Sequence, residues 1–242
     1  ITKIGRHTFR DCVNLTSIEL PANVERIESE AFRGCRSLTD ITLNEGLREI
    51  WHAAFEETCP GTLTLPASLE WVDHGAFKFS YTGAFAVAEG NEWFFTDEAG
   101  ALYRYEDEEQ TCFSLVAYPI GREIEEDANE YLVKLDTAEI YGHAFSGSTL
   151  SFIGIPDSVR HICSWAFEWC RQLELVYIPI GIRTISDNTF HGCESLQKIY
   201  FRCAPPEEIW HGAFENMDTD SVTVFYPDQI SAWTDVLNED GT

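Results

Sequence analysis

The chain has 242 residues, 44% of them AVILMFWYC, which is apolar material for one long domain or two short ones. Its 41 Asp and Glu against 16 Lys and Arg leave a formal net charge of −25. That field repels polyphosphates and anionic lipid, so neither nucleic acid nor direct membrane insertion is expected. No apolar run approaches the ~20 residues of a membrane helix.

The chain opens at Ile1, already in the second half of a repeated pattern and with no signal-peptide signature. An export signal or further chain is therefore expected upstream. From Ile4 the sequence reads "IGRHTFRDCVNLTSIEL", and from Ile27 "IESEAFRGCRSLTDITL". The skeleton I-x-x-x-[AT]-F-x-x-C-x-x-L-x-x-I-x-[LF] returns at Ile185 as "ISDNTFHGCESLQKIYF". Its marker phenylalanines are Phe9, Phe32, Phe55, Phe77, Phe145, Phe167, Phe190 and Phe214, separated by 23, 23, 22, 68, 22, 23 and 24 residues. The long step equals about three ordinary ones, so the middle is a degenerate or replaced stretch of the same array.

A unit this short cannot bury its own apolar residues and must stack on its neighbours. In the coil beginning at Leu15, Ile18-Glu19-Leu20 alternates as a half-buried strand does. Pro21 stops that ladder, since proline has no N–H to donate. Val24, Ile27, Ala31 and Phe32 then recur at spacings that suit a short strand or helical turn facing inward. Equivalent Phe side chains should stack about 5 Å apart, the spacing of neighbouring strands. The small Ala31, Ala54, Ala76, Ala144, Ala166 and Ala213 mark a close bend of each coil. At the far end, "YPDQISAWTDVLNED" places Ile230, Trp233, Val236 and Leu237 on one helical face behind Asp228, a candidate capping helix.

The pattern L-x-x-I-x-[LI]-P-x-x-[VL]-x-x-I-x-x-x-A-F-x-x-C is best seen in "LTSIELPANVERIESEAFRGC" from Leu15 and "LSFIGIPDSVRHICSWAFEWC" from Leu150. It resembles the BspA-like leucine-rich repeats, over about residues 1–80 and 131–227. The resemblance implies a right-handed α/β leucine-rich-repeat solenoid of short parallel strands with helical turns. It also implies a β-hairpin interruption, whose likeness rests on Gly100, Ala101, Leu102 and Tyr103, although Glu98-Ala99 departs from the family's Asp-Gly turn. The expected organisation is a single solenoid domain over 1–242. Its parts are N-terminal repeats at 1–84, an irregular hairpin insertion at 85–130, C-terminal repeats at 131–227, and a capping helix and tail at 228–242.

The resemblance implies an extracellular or cell-surface protein of a host-associated microbe, and no catalytic residues. Its partner would be a host or microbial protein or glycan, bound by a non-enzymatic, monomeric adhesion module. Two other readings stand beside that one. The chain could be a structural spacer displaying a neighbouring domain, or a hydrolase whose polar groups converge in the irregular stretch 90–130.

Several clusters invite chemistry. Cys12, Cys35, Cys59, Cys170 and Cys193 follow a marker Phe by three or four residues, in a slot that Ser80, Ser148 and Met217 fill elsewhere. Such a slot points to buried free thiols acting as small hydrophobes. Cys112, Cys163 and Cys203 fit no pattern, and without C-x-x-C a zinc site is not expected. His52 and His74 occupy equivalent positions of adjacent coils but lack a recurring third ligand. The acidic runs Glu106-Asp107-Glu108-Glu109 and Glu123, Glu125, Glu126, Asp127, Glu130 lack the alternation and Gly of a calcium loop, so no metal or other cofactor is expected.

One feature points to binding. Residues flanking the central apolar position of each first strand should face solvent. Early coils place Ser17, Glu19, Asp40, Thr42, Thr62 and Thr64 there. Later coils place Phe152, Gly154, Leu175, Tyr177, Lys198, Tyr200, Thr223 and Phe225 there. An exposed aromatic stripe marks an interaction surface unless something covers it, and Phe152, Tyr177, Lys198, Tyr200 and Phe225 form the candidate ligand-binding face.

Overall fold

Each coil contains two very short strands because its apolar residues come in two short runs separated by Pro, Asn or Gly. The structure, a computed structural model, describes residues 1–123, 129–202, 204–217 and 219–227. The chain divides into two compact units: Ile1–Ile124 with Tyr141–Ser146, and Glu125–Ile140 with Gly147–Thr242. Residues 85–123 of the interruption fall in the first unit, with the N-terminal coils.

In the first unit, Ser17–Glu19 pairs in parallel with Asp40–Thr42, with Ile18 opposite Ile41. Thr62–Leu65 pairs likewise with Ala84–Val87. A second parallel ladder joins Lys3–Ile4, Arg26–Ile27, Glu49–Ile50 and Trp71–Val72 in that order. Between the ladders the marker rings stack in file. Phe9, Phe32, Phe55 and Phe77 have successive centroid separations of 5.2, 5.3 and 5.9 Å and are nearly coplanar in orientation. Phe32 and Phe55 are completely buried, as are Val24, Ile27 and Ala31.

The interruption is an antiparallel meander of Phe94–Thr96, Leu102–Tyr105 and Phe113–Ala117, one strand more than the expected hairpin. Phe95, Tyr103, Tyr105 and Phe113 pack ring against ring at its centre. In its first turn the Asp97 carboxylate accepts from the Ala99 and Ala101 amides, both at 2.9 Å. Gly100 takes φ +74°, so glycine stands where the left-handed residue is required and Glu98-Ala99 occupy the ordinary turn positions.

In the second unit, five parallel strands run in the order Glu130–Leu132, Phe152–Gly154, Leu175–Ile178, Lys198–Phe201 and Thr223–Phe225. Thr184–Ile185 pairs with Glu208–Ile209 across the coil. Phe167, Phe190 and Phe214 repeat the internal file at 5.1 and 5.5 Å.

The expected helical turns are corrected by the structure. Among the described residues there is no α-helix, only a single 3-10 turn at Thr219–Ser221. The backbone gives the reason. In all eight coils the residues two before and two after the marker Phe lie in the left-handed region. Five are glycines, at 34, 75, 147, 192 and 212, and the other eleven include Ala53, Glu57, Phe79 and Trp165, with φ between 52° and 66°. A left-handed residue every fourth position cannot sit in a right-handed helix. Its consequence is an alternating set of hydrogen bonds. Amides of Ala31, Arg33 and Cys35 donate within their own coil to Glu28, Glu30 and Phe32. Those of Glu30, Phe32 and Gly34 donate to His52, Ala54 and Glu56 of the next coil, at 3.0, 2.9 and 2.8 Å. The turns are laterally bonded, as strands are. The capping helix expected at 228–242 lies outside the described residues. Among the described residues no helix is long and apolar enough to cross a membrane.

Candidate ligand-binding face

The C-terminal sheet turns its central residues, Ile153, Val176 and Ile199, into the core, each at most 3% exposed. The residues on either side must therefore face outward, in two rows set by strand parity. One row runs Glu130, Phe152, Leu175, Lys198, Thr223, each opposite the next. The other contains Leu132 opposite Gly154, and then Tyr177, Tyr200 and Phe225 in register. Phe152 thus stands one row away from the tyrosines. This parity was readable in the sequence, since Phe152 precedes its central Ile153 whereas Tyr177 follows its central Val176.

Phe152 nevertheless joins the aromatic chain, while the gap at Gly154 is taken by Leu132. A Cβ at Gly154 would lie 2.5 Å from Leu132 Cδ2 and 3.5 Å from Phe152 Cε1. Phe152 meets Tyr177 edge-on, at 5.9 Å and 87°. Tyr177 stacks on Tyr200 at 4.9 Å and Tyr200 on Phe225 at 4.3 Å, with planes 29° and 7° apart. All five proposed face residues are at least partly open to solvent, Lys198 and Phe225 most so. Among the described residues the Tyr177 and Tyr200 hydroxyls and the Lys198 ammonium have no hydrogen-bond or ion-pair partner. Beside the stripe lies a shallow depression of about 360 Å³ lined by Leu132, Leu135, Gly154, Pro156, Tyr177 and Arg202 among others. Leu132 and Leu135, 69% and 74% exposed, extend the apolar area, and Arg202 is held by Asp157 at 2.9 Å.

The other clusters are engaged structurally. Cys35 Sγ donates to the Phe9 carbonyl at 3.0 Å and Cys193 Sγ to that of Phe167 at 3.2 Å. Where the slot holds one of these Cys residues, its thiol thus adds a bond to the preceding coil besides packing. Burial pushes the Cys35 thiol up to about 11 and raises Cys170 as well, which suppresses the reactive thiolate. No disulfide joins Cys12, Cys35, Cys59, Cys112, Cys163, Cys170 and Cys193, of which Cys12 is exposed, and Cys203 lies outside the described residues. His52 Nδ1 donates to the His74 carbonyl, and His74 Nδ1 accepts from the Gly142 amide while its ring stacks on Tyr141. No group of three His, Cys, Asp or Glu among the described residues is placed to hold a metal. Asp107 caps its own turn by accepting from Thr111 and Cys112, whereas Glu125, Glu126 and Asp127 lie outside the described residues.

A profile of the BspA type leucine rich repeat region matches residues 2–91 and 130–235, in six copies. No curated protein matches the chain. Among solved structures, a leucine rich cell surface protein from Faecalibacterium prausnitzii is 25% identical, with TM-score 0.67 over 97% of this chain and 72% of that one. A leucine-rich repeat protein from Eubacterium ventriosum is 19% identical, with TM-score 0.67 over 84% of this chain and 58% of that one. The pneumococcal vaccine antigen PcpA is 19% identical, with TM-score 0.66 over 93% of this chain and 65% of that one. The last two likenesses speak to fold alone. The profile copies cover both flanks of the interruption, where the stacked phenylalanine files and paired short ladders also lie. By sequence profile the chain belongs to the BspA-type leucine-rich repeat family.

Proposed function

We propose that the protein is a non-enzymatic recognition module, secreted or displayed at a cell surface, that binds a protein ligand through the strand face of its C-terminal coils. The surface location is supported by family membership and by the likeness to a leucine rich cell surface protein. The aromatic stripe carries the binding reading. Phe152, Tyr177, Tyr200 and Phe225 form an unbroken chain of rings that stays accessible, with two phenol hydroxyls and one ammonium free to bond a partner.

Ring orientation favours a polypeptide over a glycan. Tyr177, Tyr200 and Phe225 cover one another's faces, so they offer edges and hydroxyls outward. Sugar rings bind best on open aromatic faces, whereas a protein surface is well served by rigid Tyr edges and hydrogen-bonding tips. An array of extracellular-matrix proteins and glycans would supply the ligand. Against that ligand, the combined variant Tyr177→Ser, Tyr200→Ser, Phe225→Ser should bind at least tenfold more weakly while its circular dichroism spectrum is unchanged. Undiminished binding by a folded variant would retire the stripe as the site. The structural-spacer reading gains from that outcome, since a spacer needs no accessible face.

A further inference from the structure

The N-terminal unit carries a second surface, on the ladder opposite its first strands. Glu49 lies opposite Trp71 and Ile50 opposite Val72, so the same register sets Trp51 beside Asp73. Two tryptophans and two carboxylates thus alternate at the corners of a patch. Ile50 and Val72 are fully buried, while Trp51 and Trp71 remain 36% and 40% exposed. Together with Glu70 these four residues line an open cleft of about 470 Å³.

The same unit shows what such corners hold. The Arg26 guanidinium lies over the Trp51 ring at 5.0 Å and grips Glu49 through two hydrogen bonds of 2.7 and 3.0 Å. Arg104 lies over Trp71 at 5.2 Å and bonds Glu106 at 2.6 Å. A cation on an indole face, held by a carboxylate, therefore occurs on both sides of the cleft. The cleft itself has the indoles and the carboxylate but no cation. Two coils earlier Lys3 pairs with Glu28 at 2.7 Å. In the equivalent positions stand Glu49 and Asp73, two acids. Glu49 is satisfied by Arg26 and Trp51 Nε1, and Glu70 by Arg48. Asp73 has no side-chain hydrogen bond or ion pair among the described residues.

We infer that the Trp51–Trp71 cleft receives a lysine or arginine side chain from a partner polypeptide, with the cation seated between the indoles and paired to Asp73. The chain's net charge of −25 supplies long-range attraction for such a basic segment. A neutral sugar could stack on the indoles but would leave the Asp73 carboxylate without a counter-charge. This site is separate from the aromatic stripe and does not depend on it.

The test is titration of the full chain with an acetylated, amidated tri-arginine peptide at ~0.15 M salt, where long-range attraction is screened beyond about 8 Å, followed by tryptophan fluorescence and calorimetry. Trp71→Ala and Asp73→Asn should each weaken binding tenfold or more. Trp71→Phe, which keeps a ring face, should fall between Trp71→Ala and the parent and stands in if the alanine variant does not fold. Asp40→Asn removes one charge from the exposed strand Asp40–Thr42 and should change affinity less than twofold, as should Tyr200→Ser. Equal losses in Asp73→Asn and Asp40→Asn would reduce the effect to bulk charge and overturn the site. So would absence of saturable peptide binding, or displacement of the peptide by cellohexaose.

Discussion

At the residue scale, the left-handed positions decide the shape of every coil. A non-glycine residue there costs about 1–2 kcal/mol, yet eleven of the sixteen sites accept one. What offsets that cost is visible in the amides, which at most of these sites donate to the neighbouring coil, as from Ala53 to Gly75 and from Trp165 to Asp187, both at 3.1 Å. Gly192 adds a steric demand. Its φ is +71°, and a Cβ would lie 2.4 Å from Trp169 Cε3. Gly192→Ala should therefore lower stability by about 2 kcal/mol or more in urea unfolding, strain and clash together. Gly90 has φ +88° with open space around it, so Gly90→Ala carries the backbone strain alone and should cost less. An equal cost for the two would show that the indole shifts aside freely.

At the element scale, the phenylalanine file is what one coil gives the next. Phe55 has rings on both sides, at 5.3 and 5.9 Å, and no exposed surface. Its truncation to Ala should cost about 3–5 kcal/mol, the range for a large buried ring leaving a cavity. Phe9 stacks on one side only and is partly exposed, so Phe9→Ala should cost clearly less. Chemical denaturation of the two variants measures the difference, and a larger loss at Phe9 would contradict the stacking account. The periodic Phe and Ala residues made this file legible in the sequence, because deep burial tolerates few side chains at each step. The turns were misread as helical for a related reason. Val24, Ile27, Ala31 and Phe32 have helix-compatible spacing, and nothing in that spacing reports the left-handed residues between them.

At the scale of the whole molecule, charge is the dominant surface fact. The formal net of −25 opposes compaction through self-repulsion. Cross-coil ion pairs such as Lys3–Glu28 and Arg26–Glu49 relieve it only locally, both bonded at 2.7 Å. Raising sodium chloride from about 20 to about 200 mM shortens the screening length severalfold, and the melting temperature followed by calorimetry should rise. A fall would mean that the ion-pair ladders outweigh the general repulsion.

The repeat, its period, the buried phenylalanine column and the family were settled by sequence, because stacking forces equivalent positions to keep equivalent sizes. The rows of the stripe were also legible, through the alternation that strands impose, although only the structure shows Phe152 reaching across from its own row to Tyr177. The Trp51–Trp71 cleft was not. Its four corners come from two coils, and their charges mean little until register sets Glu49 against Trp71. Which carboxylates keep a cation and which is left open is a matter of distance across the ladder, and only the tertiary structure decides it.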